Sequence, residues 1–527
     1  DWLTRARIMK INDFVVAILL LLLSFVAFYN SFDNAFLMDD FPMLVENLNI
    51  GDSAFLQVDP SAKSQVYFRP VTHILNLITY TYFKENPIGY HCVNLLLYYA
   101  AALVFYFLIK KVFHNSWMAF GAAALFIVHP INGVCVNYKN ATGDALLVLA
   151  INIALLRGLR AAQKNSVQNQ VLGLIWLLVA LGCHEIAFAF PLYLAALLYS
   201  THQYSWKKIW VACQPSVILL FIYFIFRTQF ASLQSMVFTG ASGLQITFWN
   251  QIANFAQIIN WYLAKLVFLN DIVLIWNVPL VGQACWLWVA AFWGFVGTGA
   301  VLFWWFRLKS PAVALGVLWF AIGCVPVSFA CFSRPWFGVI VEPFWLIYSS
   351  LGFFLIVSGL CFYFCKQRYL WGTLIILLYS LGVLLPTTWR YNDVWAQPIG
   401  YCQFWMRVSP QNFFPQFWLA YSLIKEKQYE SARELLEQLL KRGLHYEWIY
   451  GNLGIAQYHL GHYQAARIAF SNALQLNDSN GDTHYYLGLV FLKLKDLQQA
   501  KNAFEQAMRL APEIIDAKKQ LEEIGSF

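Results

Sequence analysis

Of 527 residues, 60% are hydrophobic, 18% aromatic and 12% charged, a balance that excludes a soluble globular protein of this size and calls for repeated membrane spans. The net charge of +8 is not a nucleic-acid signal, because much of it sits in short clusters beside apolar runs, where the positive-inside bias puts basic residues. The ten cysteines show no CxxC pair or zinc spacing, and most lie within apolar runs, where Cys behaves as a small apolar residue.

Taken in chain order, Arg5, Arg7 and Lys10 precede a first apolar run from about Ile11 to Tyr29, too long for a cleaved signal and read as a retained anchor that starts on the cytoplasmic side. Residues 30–90 then form a first extracytoplasmic loop. A second span, near Cys92 to Ile109, returns to Lys110 and Lys111. The third and fourth, near Trp117 to Val128 and Ala145 to Leu156, end inside at Arg157, Arg160 and Lys164. The fifth and sixth turn outside at His184 and Glu185 and come back to Lys207 and Lys208, and the seventh, near Ile209 to Phe226, exits at Arg227. Several of these runs are shorter than the ~20 residues of a straight crossing, so they must thin the bilayer or hide their ends in protein.

Residues 228–280 form a second extracytoplasmic loop. Its apolar run, Ile252 to Leu269, would place Arg307 and Lys309 outside if it crossed, so it is expected to be interfacial or re-entrant. Four more spans follow, near Ala284 to Phe306, Ala312 to Ala330, Val339 to Cys361 and Leu370 to Pro386. The sum is about eleven spans in residues 1–390, with residues 391–527 outside the cytoplasm.

From about Gln411 the chain becomes charged, amphipathic and periodic. Ala432, Ala466 and Ala500 recur every 34 residues, as do Tyr429, Tyr463 and Leu497, and Leu436, Phe470 and Phe504. Ala420, Gly454 and Gly488 mark close helix crossings, and Pro512 closes the last unit. This is the tetratricopeptide-repeat signature, an α-solenoid whose concave face suits extended peptides. The expected fold class is therefore all-α: a polytopic membrane body followed by a repeat solenoid.

The residues able to do chemistry crowd one side of the expected membrane. Asp39 and Asp40 follow the first span. Adjacent carboxylates there can act as a general base or hold a divalent ion such as Mg or Mn, although a bare pair by itself better suits a solvated loop end, and it is the context of the following motifs that points to chemistry. Asn47 and Arg69 follow. His91 and Asn94, at i and i+3, share a face at the outer end of the second span. His129 ends the third span, with Lys139 and Asp144 flanking the start of the fourth. His184 and Glu185 join the fifth and sixth, and Tyr223 precedes Arg227 on one helical face. Glu342 opens a late span. Each also has a plain structural role: a helix cap for His129 and Asp144, snorkelling for Arg227, a helix-end hydrogen bond for His91. Intramembrane charge is costly enough to make function a serious alternative.

The order and spacing of Asp39-Asp40-Phe41-Pro42, Tyr67-Phe68-Arg69-Pro70, Tyr90-His91-Cys92-Val93-Asn94, His129-Pro130-Ile131-Asn132, Cys183-His184-Glu185, Tyr348-Ser349-Ser350-Leu351-Gly352-Phe353 and the Arg390 to Trp395 segment, ahead of the repeats, resemble the transmembrane and tetratricopeptide-repeat O-mannosyltransferases and their bacterial relatives, which are GT-C glycosyltransferases. The resemblance implies a polyprenyl-phosphate sugar donor, transfer outside the cytoplasm to a protein hydroxyl, and an acceptor held by the repeats. It implies Asp39 ahead of Asp40 as the base. A leaving phosphate needs positive charge beside it, for which Arg227, then His184, Arg69 and Lys139, are candidates. No cofactor is required, and a divalent metal, if any, would sit at Asp39 and Asp40.

The chain departs from the family where relatives carry an acid at Val134, an Arg at Thr142, a Lys at His184 and an Arg at Pro343. Those departures keep a second class of function open: a catalytically degenerate GT-C scaffold or assembly subunit that grips a partner protein through its repeats. A transporter fits less well, since no inverted repeat is visible and the polar groups crowd one face rather than the midplane. Degenerate motifs favour a bacterial inner membrane with periplasmic repeats over an endoplasmic reticulum membrane with lumenal ones.

Overall fold

The computed structural model describes residues 11–38, 40, 44, 69–230, 248–278, 286–330, 339–366, 368–511 and 514–525. Asp39, Asn47, Tyr67, Phe68 and the leading Arg5, Arg7 and Lys10 lie outside the described residues. The chain divides into two compact units, Asp1–Ala396 and Gln397–Phe527. Arg390, the expected end of the membrane body, falls inside helix Leu385–Val394 of the first unit.

The first unit is built from α1 (Asp13–Phe28), α2 (Pro70–Phe83), α3 (Pro87–Phe113), α4 (Ser116–Val128), the short α5 (Val134–Asn137), α6 (Thr142–Lys164), α7 (Val167–Leu181), α8 (Phe190–Ser200), α9 (Trp206–Phe230), α10 (Phe248–Phe268), α11 (Trp286–Phe306), α12 (Pro311–Ala330), α13 (Ile347–Phe364), α14 (Tyr369–Tyr379) and α15 (Leu385–Val394). Seven described segments are long and apolar enough to cross a membrane: Asp13–Ser31, Pro87–Phe113, Lys139–Lys164, Trp206–Arg227, Trp286–Phe306, Pro343–Phe364 and Trp371–Val394. Four shorter apolar helices, Ser116–Val128, Val167–Leu181, Glu185–Ser200 and Pro311–Val327, fall on the remaining expected spans. The chain is a multi-pass membrane protein. Helix α10 is not among these segments.

Caps explain where the helices begin. The side chains of Asn12, Asn86, Asn115 and Ser166 accept from amides in the first turns of α1, α3, α4 and α7. His114 and Asn165, both left-handed, make the tight turns from α3 to α4 and from α6 to α7. Helix α4, 13 residues long, is buried at every position but Trp117, so a helix too short for lipid is enclosed by protein instead.

Close crossings rest on small residues. A Cβ on Gly352 of α13 would lie 2.5 Å from the Phe320 amide nitrogen and 2.6 Å from the Gly316 carbonyl oxygen of α12, so the two backbones meet there. Beside that contact, Tyr348 donates to Asn152 Oδ1 (3.1 Å), and Tyr348 packs on Tyr193 and Trp319 at ring distances of 4.8 and 5.6 Å. The all-α body also holds one short two-stranded antiparallel ribbon: β1 (Trp276–Val278) pairs with β2 (Val339–Val341), Trp276 opposite Val341. The expected span from Val339 therefore begins as a strand, and the helix starts after Pro343, a β-branched Val-Ile-Val run preceding the turn.

The second unit stacks α16 (Pro398–Val408), three helical hairpins and α23 (Ile515–Gly525). The hairpins are α17 (Phe414–Lys425) with α18 (Tyr429–Lys441), α19 (Glu447–His459) with α20 (Tyr463–Leu476), and α21 (Gly481–Lys493) with α22 (Leu497–Leu510). Ala432, Ala466 and Ala500 are fully buried. Gly454 and Gly488 lie under the rings of Phe470 and Phe504, where a Cβ would come within 2.6 Å. The equivalent first-hairpin pair is Ala420 with the smaller Leu436.

Candidate functional site

Arg69, the N-cap residue of α2, and Arg227, near the end of α9, converge on one carboxylate. Arg69 Nη2 donates to Glu185 Oε2 (3.0 Å) and Arg227 Nη2 to Glu185 Oε1 (2.5 Å). The turn carrying Glu185 is held from both sides. The Val71 amide donates to the Gly182 carbonyl (3.0 Å), the Thr72 hydroxyl to the Cys183 carbonyl (3.3 Å) and the Tyr223 hydroxyl to the Leu181 carbonyl (2.9 Å). A Cβ on Gly182 would meet Val71 at 2.4 Å and one on Gly143 would meet Thr72 at 2.2 Å, so both glycines let α2 lie close. Asp144 is 4% exposed, within electrostatic reach of Arg69 and Glu185, and its Oδ1 has no partner among the described residues.

His184 adjoins this cluster but is not a cation. Its Nδ1 accepts the Ile186 amide (3.2 Å), and burial together with Arg69 lowers its pKa to about 3. The expectation of a titratable positive charge is therefore replaced by a neutral imidazole whose Nε2–H is buried without a partner among the described residues. The Arg227 Nε is in the same condition.

A second group surrounds Asp40, which is wholly buried. Its Oδ2 accepts the Leu37 amide (3.0 Å) and its Oδ1 the Asn140 amide (2.8 Å). Burial raises its pKa above the ordinary value, opposed by Lys139 and by those backbone amides. Lys139 is wholly buried too, its ammonium donating to the carbonyls of Asn34 (2.8 Å) and Ala35 (2.6 Å). Asn94 Nδ2 donates to the Tyr138 carbonyl (3.2 Å), and its Oδ1 accepts the Thr142 hydroxyl (2.6 Å). Asp40 and Lys139 thus clamp residues 34–37 to the turn before α6, and Asn94 fastens that turn to α3, so none of the three stands open to substrate as the sequence alone suggests. Among the described residues no three His, Cys, Asp or Glu side chains gather as a metal site.

The two groups adjoin. The Asn140 amide, in the turn before α6, binds Asp40, and Asp144, four residues on in the first turn of α6, is within electrostatic reach of Arg69 and Glu185. His91 is buried against Phe32 (ring distance 6.3 Å) near Lys139, its Nε2 without a partner among the described residues. His129 is not brought to this group. Its Nε2 bonds the Leu266 carbonyl (3.1 Å) and its Nδ1 accepts the Ile131 amide (3.3 Å), joining the end of α4 to α10. Glu342, half-buried, sits between β2 and a turn whose Phe344 stacks on Tyr138 at 5.9 Å.

Sequence reasoning missed an amide knot around Asn392. Its Nδ2 donates to the Ala27 carbonyl (2.9 Å) and Asn30 Oδ1 (2.8 Å), while its Oδ1 accepts from Asn137 (2.8 Å) and its carbonyl from Asn34 (3.0 Å). Asparagines at the ends of apolar runs were the available signal.

Comparison with known proteins finds the repeats and one partial relative. The tetratricopeptide-repeat family matches at residues 416–442 and 481–514. A protein of Caenorhabditis elegans, protein O-mannosyl-transferase F38B6.6, is 31% identical over 147 residues, or 25% of this chain and 21% of that protein. The chain thus matches about a fifth of the length of that curated relative. Among solved structures, the APC/C hetero-tetramer Cut9-Hcn1 aligns over 91% of this chain and 99% of its own at 11% identity, with a TM-score of 0.25, too low to carry an argument. The chain thus carries tetratricopeptide repeats and is similar, over part of its length, to a protein O-mannosyl-transferase.

Proposed function

We propose that the chain is a membrane glycosyltransferase that moves a sugar from a polyprenyl-phosphate donor to a hydroxyl of a protein acceptor on the extracytoplasmic side. The observation that carries this reading is the pairing of Arg69 and Arg227 on Glu185 at the ends of apolar helices, close to the buried contact of Asp40 with the Asn140 amide. Asp39 takes the proton of the acceptor hydroxyl as its oxygen attacks the anomeric carbon. The bond from that carbon to the phosphate oxygen breaks, and the departing polyprenyl phosphate keeps the electron pair. Arg227 and Arg69 face the new negative charge, with Glu185 holding their orientation, and His184 Nε2–H adds a neutral donor. The repeats hold the acceptor, and the scheme requires no metal.

The test incubates purified full-length protein with polyprenyl-phosphate sugars and a hydroxyl-bearing acceptor peptide in EDTA. Wild type transfers sugar, Asp39→Asn loses at least about a hundredfold in rate, and Arg227→Ala loses transfer while Arg227→Lys recovers part of it. Unimpaired transfer by Asp39→Asn removes the assigned base. The second reading, a non-catalytic scaffold, is favoured by the engagement of Asp40 and Lys139 within the fold and of both arginines by one carboxylate. Recovery of a stoichiometric partner protein on the repeats, with no transfer from any donor, would select it.

A further inference from the structure

Helices α7 and α9 are tied near the Glu185 cluster by the Tyr223–Leu181 hydrogen bond. Toward their other ends they leave a cavity of about 810 Å3, within the range of small-molecule sites. Four small residues of α6, Ala154, Gly158, Ala161 and Ala162, make its floor, with Gln163 of the same helix at its edge. Leu174 of α7, Leu194 of α8 and Val211 of α9 make apolar walls. The mouth is polar, with Gln170, Gln203, Lys207 and Lys208.

Three features point to one occupant. No lining residue is acidic, and from Ala145 to Ser216 the one acid is Glu185, so the mouth is positive without a protein counter-charge. The flanking helix faces are apolar and open, with Val167 72% and Val171 49% exposed on α7, and Trp206 70% and Trp210 63% on α9, as for surfaces in contact with acyl chains and a tryptophan belt at the headgroup level. Lys207 and Arg227 are twenty residues apart on one helix, about 30 Å, the thickness of a hydrocarbon core. The cavity is therefore in the other leaflet from the charged cluster and owes nothing to the donor site. We propose that it binds an anionic glycerophospholipid of the surrounding membrane, its phosphate on Lys207 and Lys208, its ester region against Gln170 and Gln203, and one chain over the small-residue floor.

The test measures binding by native mass spectrometry and by thermal shift of the full-length protein in neutral detergent, titrated with phosphatidylglycerol, phosphatidylcholine or glycerol 3-phosphate. Phosphatidylglycerol should bind about thirtyfold more tightly than phosphatidylcholine, the worth of two basic side chains near an anionic headgroup. Lys207→Gln with Lys208→Gln should erase that preference, and Lys207→Arg with Lys208→Arg should keep it. Ala162→Leu, which fills the floor, should weaken both lipids. Equal affinity for the two lipids, a preference that survives in the glutamine pair, or glycerol 3-phosphate binding as well as the whole lipid would overturn the assignment.

Discussion

Glu185 holds two guanidinium groups on one carboxylate, and its side chain is 25% exposed while that of Arg227 is 7% exposed. Breaking a buried pair by removing one partner leaves an uncompensated charge, which is costlier than the pair is worth. Glu185→Gln should therefore destabilise the membrane unit by about 3 kcal/mol, read as a lower melting temperature in detergent, and Glu185→Asp should restore less than half of it, because the shorter side chain cannot reach both arginines. His129 gives a pH-dependent counterpart. Burial lowers its pKa from 6.5 to about 4, so between those values the unfolded chain binds a proton that the folded chain refuses. Stability is complete above about pH 6.5 and falls as pH drops toward 4. His129→Gln keeps a donor for Leu266 but takes up no proton, so its melting temperature should decline less than that of wild type over this interval. An unchanged difference across the range would show that His129 has no part in the acid response.

At the scale of elements, the tightest constraint is where α12 and α13 meet. An alanine methyl at Gly352 has backbone, not flexible side chain, on two sides. Gly352→Ala should cost about 3 kcal/mol by overpacking, whereas Gly382→Ala, with nothing within 4 Å of the added methyl, should leave thermal unfolding almost unchanged. In the repeats the same logic was visible without coordinates. Small residues at 420, 454 and 488 precede a large one by sixteen residues each time, and the larger Ala420 goes with the smaller Leu436. The turns repeat as well: Lys427, Gly461 and Lys495 all take positive φ, 59°, 80° and 64°, closing the first helix of each hairpin with an i→i−5 amide bond from the following residue. Lysine at two of these positions hid the pattern that glycine shows at the third.

For the whole molecule, the alternation of basic clusters with apolar runs predicts sidedness. In right-side-out spheroplasts, added protease should digest the repeat unit, while an impermeant amine reagent should leave Lys110, Lys111, Lys207 and Lys208 unmodified until the membrane is opened. Modification of those lysines in sealed cells would invert the proposed orientation. The fold class, the spans and the solenoid were readable from the chain because each rests on local periodicity: apolar length against bilayer thickness, and a 34-residue repeat. Arg69, Glu185 and Arg227 could be named as candidates for the same reason, since charge at the end of an apolar run is conspicuous. What the sequence left open was which charge does what. Asp40 and Lys139 look as available as Arg227 in one dimension, yet Asn34 and Asp40 fold onto Lys139 and Asn140 and engage both charges within the fold. The β1–β2 ribbon, the Asn392 knot and the cavity between α7 and α9 were invisible for the same physical reason: each depends on segments far apart in the chain meeting at a particular depth and angle, and no local pattern encodes that meeting.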